Sequence, residues 1–178
     1  PFASAGIRWD IASLLRLSGS VTWAGTLKAK GETSQSEGFE VDMPLQVAAG
    51  LSAYLSPQLL AAVSGRWSGW SAASSAATPF GEVSDTWELG GGLEWELLRF
   101  GTRVVPLRIG YHYIEFPFLV DGVTPSERAF GFGSGLRFSP GPGGHRAALD
   151  AAVERGSRSG AFTEDFWRFT VSLSVFGQ

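Results

Sequence analysis

Residues 87–97 read WELGGGLEWEL, and the fold follows from the way this stretch alternates. Trp87, Leu89, Leu93, Trp95 and Leu97 share one parity, while Glu88, Gly90, Gly92, Glu94 and Glu96 share the other. Extended backbone sends successive side chains to opposite sides, so a period of two marks a strand with one apolar and one polar face. A helix would scatter the glutamates around its whole circumference.

The same period recurs on both sides of this segment. Toward the N-terminus, Ala5, Ile7, Trp9 and Ile11, then Leu15, Leu17, Val21, Trp23 and Leu27, alternate with Arg8, Asp10, Arg16, Thr22 and Lys28. Residues 39–51 alternate from Phe39 to Leu51, and 59–70 alternate less cleanly and are placed by their neighbours. Toward the C-terminus, Leu107, Ile109, Tyr111 and Tyr113 stand opposite Arg108, Gly110 and His112. Phe130, Phe132, Leu136 and Phe138 stand opposite Gly131, Gly133, Gly135 and Arg137. Ala147 to Val153 alternate with Arg146, Asp150 and Glu154, and Trp167 to Val175 alternate with Arg168, Thr170 and Ser172. The expectation is about nine strands in an all-β, antiparallel up-and-down sheet.

Connections alternate in length. Short ones are expected at 12–14, 56–58, 98–102 and 140–144, and long ones at 31–37, 71–82, 114–127 and 158–164. Membrane barrels show this alternation between periplasmic turns and extracellular loops. Many of the strands run to ten residues or more, the length of a tilted membrane strand and longer than the usual soluble one. Trp and Tyr residues fall mostly near strand ends, where interfacial girdles belong. The apolar stretch 43–65 is not read as a membrane helix, because Pro44, Gln46, Gly50, Pro57 and Gln58 interrupt it.

Composition narrows the function classes. The 24 Gly, 7 Trp and 13 Phe in 178 residues, with only 17% charged residues, favour aromatic-rich strands over helices. A net charge of −3 and the lack of a basic run argue against nucleic acid as a partner. There is no Cys, so neither a disulfide framework nor thiolate metal ligands arise. The chain begins at Pro1 without a signal-like apolar region, and reads as processed or as a fragment. An odd strand number points the same way, toward missing N-terminal strands or another chain that completes the barrel. Residues 1–178 are accordingly expected to be a single domain, the C-terminal portion of a larger barrel.

The charged residues expected to face the barrel interior are Glu88, Glu94, Glu96, Arg108, His112, Arg137, Arg146, Asp150, Glu154 and Arg168. Paired carboxylates can perform acid–base work or hold a cation, but Arg108 on the following strand is the expected neutralising partner of the glutamates. No second His or Cys accompanies His112 at a ligand spacing, so no metal, cofactor or catalytic set is read. The glycines 131, 133 and 135 open no helix and are read as room for the lumen or for strand curvature, not as a dinucleotide fingerprint.

The segments VDMPLQVAAGLSAYLSPQLLAAVSGRWSGW (41–70), PLRIGYHYIEFPF (106–118), ERAFGFGSGLRF (127–138), RAALDAAVERGSRS (146–159) and FWRFTVSLSVFG (166–177) resemble the C-terminal part of FadL-type outer-membrane transporters of long-chain fatty acids and aromatic hydrocarbons. The resemblance implies a larger barrel whose last nine strands this chain would supply, set in a bacterial outer membrane among lipids. It further implies passive uptake of a hydrophobic small molecule, with Phe80, Phe116, Phe118 and Leu119 in the outer loops as candidate contacts. The family's N-terminal plug motif is not in this sequence, and Gly177 and Gln178 follow the terminal Phe176. A structural or adhesive barrel without transport is the alternative, and a soluble β-sheet binding protein the third reading.

Overall fold

The computed structural model describes residues 1–29, 39–73, 82–101, 103–138, 146–160 and 163–176. Nine long strands form one antiparallel up-and-down sheet: β1 (Phe2–Ala12), β2 (Leu15–Ala24), β5 (Leu45–Ser56), β6 (Leu59–Gly69), β7 (Thr86–Phe100), β8 (Arg103–Glu115), β9 (Ser126–Phe138), β10 (Arg146–Ser159) and β11 (Glu164–Phe176). Each pairs with its neighbour in that order, and the sheet ends in free edges at β1 and β11 without closing. A short ribbon of β3 (Thr26–Ala29) and β4 (Phe39–Asp42) extends the β2–β5 hairpin. No α-helix occurs among the described residues; the one helical turn is the 3-10 segment Trp70–Ala73.

The sequence reads 39–51 as one strand, but the structure interrupts it at Met43 and Pro44. Proline has no N–H to give to the ladder. Across the gap, Met43 donates its amide to the Gly25 carbonyl, and the pairing resumes in step from Thr26↔Asp42 to Thr22↔Gln46. A second proline, Pro106, lies inside central strand β8, where proline is normally excluded. Both neighbouring ladders yield there. β7 bulges between Glu96 and Leu98, β9 skips the partners of Val105 and Pro106, and the Ser134 hydroxyl donates to the Pro106 carbonyl at 2.8 Å. Two further irregularities, at Asp10/Ala12 and Tyr54/Ser56, lie beside the tight turns at 13–14 and 57–58. Bulges at one rim strengthen strand twist there.

Two of the connections at the opposite end, those read at 114–127 and 158–164, are shorter than the sequence reading has them. β8 runs on to Glu115 and β9 starts at Ser126, so the irregular segment is 116–125 and not 114–127. Within it, Val120 and Val123 pair around Asp121 (φ 53°) and Gly122 (φ 75°), a two-residue turn that needs left-handed backbone at both central positions. This small hairpin is stitched to the preceding loop: Ser84 and Leu119 donate their amides to the carbonyls of Pro117 and Glu82.

The apolar parity forms one face of the sheet, and no described residue covers it. Ile7, Phe130 and Phe169 are 73%, 70% and 76% exposed. Among the described residues the buried hydrophobic core is Val41 and Ala129, with Pro106 also enclosed. Aromatic residues bracket the face: Trp67 stands opposite Trp87, and Tyr111 packs on Phe130 with ring centres 4.8 Å apart, toward the loop end. Trp95 and Phe100 lie toward the tight-turn end. Trp87 and Trp95 are separated by about 26 Å of strand at ~3.3 Å per residue, which is the scale of the apolar band of a membrane barrel.

Candidate functional site

The polar parity carries two ion-pair clusters on β7 to β11. In the first, Glu94 accepts from Arg108 Nε and Arg137 Nη2, both at 2.6 Å, and Arg108 Nη1 reaches Asp150 at 2.6 Å. The Glu94–Arg108 contact joins direct partners on neighbouring strands, whereas Glu94–Arg137 and Arg108–Asp150 span alternate strands, roughly 10 Å apart in a sheet. The Arg108–Asp150 contact is possible because the register sets Gly133 beside Arg108 and Gly135 beside Asp150, leaving β9 bare beneath the guanidinium. A Cβ on Gly135 would meet the Asp150 carboxylate itself.

The second cluster is built around Glu127, which is 3% exposed. Its two oxygens accept from Arg158 Nε at 2.7 Å and Arg168 Nη2 at 2.9 Å, and His112 Nε2 lies 3.2 Å away. Arg168 also donates to Glu154 at 3.0 Å. The Phe166 ring lies beneath both guanidinium groups, 4.9 Å from Arg158 and 5.0 Å from Arg168. Gly156 makes this arrangement possible, since a Cβ there would come within 2.5 Å of Phe166 and 2.7 Å of Ala129.

Among the remaining expected interior charges, Glu88 and Glu96 are also paired. Glu88 accepts from Arg66 at 3.2 Å, and Glu96 pairs with Arg99. Arg146 begins β10 opposite Phe176, and its side chain lies outside the described residues. Chemically, each carboxylate is held by at least one guanidinium, which cross-braces four strands in each cluster and presents fixed charges of both signs to the space on that side.

A separate cavity of about 360 Å³ opens among the loops, lined by Phe116, Phe118, Val120 and Pro125 together with Arg158 and Glu164. The Phe116 and Phe118 rings are 5.7 Å apart. Leu119 does not line it, being tied to Glu82 through its amide. Phe80 lies outside the described residues.

Comparison with protein-family models, curated proteins and solved structures finds no match. The site is therefore read from its residues alone. Sequence reasoning places Glu127 and Arg158 in loops and misses Phe166 and Arg66 as partners. Parity alone could have found them: Glu127 shares the odd phase of Gly131 to Arg137, and Arg158 and Phe166 share the even phase of Glu154 and Arg168.

Proposed function

We propose that the chain forms part of the wall of a bacterial-type outer-membrane β-barrel of the FadL kind, which admits a hydrophobic small molecule captured at its loop end. One observation carries the reading. The apolar parity of nine successive strands is a single exposed surface, while the opposite parity holds the paired charges. In water a domain of this length needs a buried apolar core to offset chain entropy, and this sheet buries almost none. Lipid removes that demand for the outer face. Closure into a barrel belongs to the same proposal, because unpaired edge amides in hydrocarbon cost several kcal/mol each. The loop cavity walled by Phe116 and Phe118 supports hydrophobic capture.

A second reading, a barrel without transport, is favoured by the ion-pair clusters, which brace the wall without offering an apolar path along it. The test is refolding of the full chain into vesicles containing brominated lipid, followed by binding of a spin-labelled fatty acid. Quenching of the outer-face tryptophans together with binding that weakens at least about fivefold in Phe116→Ala/Phe118→Ala, the scale of one lost aromatic contact, is the expected result. Quenching with unaltered or absent binding leaves the non-transporting barrel. A well-behaved monomer in detergent-free buffer overturns both.

A further inference from the structure

The arginines whose side chains are described divide by face. Eight on the polar parity (positions 8, 16, 66, 99, 108, 137, 158 and 168) each have a carboxylate oxygen within 4 Å. The three on the apolar parity, Arg103, Arg128 and Arg155, are held without any carboxylate. Arg103 lies 5.6 Å from the Phe138 ring centre at the tight-turn end. Arg128 and Arg155 lie together at the loop end. Arg128 stands between Tyr113 and Ser157 and donates from Nε to the Ser157 hydroxyl at 3.1 Å, while Arg155 lies 5.5 Å over the Trp167 ring. Because Arg128 pairs with Ser157 and Arg155 pairs with Phe130, the two are diagonal neighbours on adjacent strands, roughly 7–8 Å apart at the backbone.

Two carboxylates share this rim of the outer face, and neither comes within 4 Å of these guanidiniums. Glu115 is turned onto β7 and β8, accepting from the Trp87 amide at 2.9 Å and the Tyr113 hydroxyl at 2.9 Å. Asp165 stands opposite Ser157, one position from the strand end.

From this division we infer that Arg128 and Arg155 form a site for the phosphate of a phosphorylated lipid headgroup, at the loop-end rim of the lipid-facing surface. The inference rests on the membrane reading above and adds a ligand to it. A guanidinium on a face that meets lipid needs an anion from outside the protein when the protein supplies none, and phosphate matches its forked donors. The aromatic belt formed by Tyr111, Phe130 and Trp167 sets the pair at headgroup depth. The Ser157 hydroxyl and the Trp167 ring, each on the neighbouring strand, already hold the two side chains, so little ordering remains to be paid on binding.

The experiment uses the full chain in zwitterionic detergent micelles, titrated calorimetrically with short-chain phosphatidic acid, with short-chain phosphatidylcholine and with inorganic phosphate. The wild type is expected to prefer phosphatidic acid by at least about tenfold over both, the scale of one charge-assisted hydrogen bond. R128Q/R155Q should abolish the preference, R103Q should keep it, and R128K/R155K should retain only part of it. Strand content by circular dichroism reports whether each variant inserts, and the single variants R128Q and R155Q replace the double if it does not. An unchanged preference in the glutamine variants, or equal affinity for inorganic phosphate, overturns the site while leaving the membrane reading intact. A well-behaved wild-type monomer in detergent-free buffer overturns the membrane reading instead.

Discussion

At Glu127 two arginines and a histidine converge on one carboxylate that has almost no contact with solvent. Replacing it with glutamine removes the charge but keeps the shape, so Arg158 and Arg168 lose their common anion. The two guanidiniums are more than a third exposed and recover part of that loss from water. The expected destabilisation for Glu127→Gln is therefore about 1–3 kcal/mol, read from the urea midpoint of the micelle-folded protein. Asp10→Asn supplies the contrast. Asp10 also pairs with two arginines, Arg8 and Arg16, but all three side chains are about half exposed, and the midpoint should not move measurably. Gly156 belongs to the same cluster by its absence of a side chain: Gly156→Val drives a branched group into Phe166 and Ala129, for about 1–3 kcal/mol of overpacking. Equal midpoints for Glu127→Gln and Asp10→Asn would show that the convergence at Glu127 contributes no more than a surface pair.

The strands show which features of the chain were legible. Alternation places seven of the nine long strands cleanly; 39–51 is split at Met43 and Pro44 and its long strand is β5 at Leu45–Ser56, and 59–70, read from its neighbours, becomes β6 at Leu59–Gly69. The tight turns at 12–14 and 56–58 fall where the spacing puts them, 98–102 shrinks because β7 runs on through Phe100, and 114–127 and 158–164 shrink to 116–125 and 160–163, while 140–144, 31–37 and most of 71–82 lie outside the described residues. Strand ends were the weak point, for a physical reason. Near the loop rim the outer parity becomes polar, with Arg128, Ser157 and Asp165, so alternation fades although the ladder continues. That is why Glu127 and Arg158 read as loop. The hairpin inside 116–125 had its own signal, since Asp121-Gly122 between two valines specifies a tight turn. Pairing across alternate strands, as from Arg108 to Asp150, had none, because it depends on which glycines the register brings between them. The outer face of β11 offers the sharpest test at this scale. Val171 is 75% exposed, and a surface substitution in water changes stability by about 0.5 kcal/mol at most. Facing the middle of a bilayer, Val171→Arg should cost about 2–4 kcal/mol. Folding in vesicles and in buffer, compared by urea titration, separates the two values, and a neutral result in vesicles removes lipid from that face.

For the whole molecule, the number of strands constrains how the sheet can be completed. Nine up-and-down strands leave β1 and β11 running in the same direction, from the loop end to the tight-turn end. Pairing these two edges to each other would be parallel, and so would pairing either with a second copy inserted the same way up. An all-antiparallel barrel therefore needs an odd number of further strands between them, and the strands that flank β1 and β11 must rise toward the loop end. The chain has no cysteine of its own, so engineered pairs report directly on the edges. With Ala5→Cys on β1 and a second cysteine stepped through Val171, Leu173 and Val175 on β11, oxidation in micelles should give no intramolecular disulfide above background, because bridging requires Cα atoms within about 7 Å. Amides of β1 and β11 should also exchange faster than those of β7 to β9, which have ladders on both sides. Near-complete disulfide formation at one of the three pairs, with edge amides as protected as central ones, would mean that the nine strands close on themselves through a parallel seam, and the need for further strands would vanish.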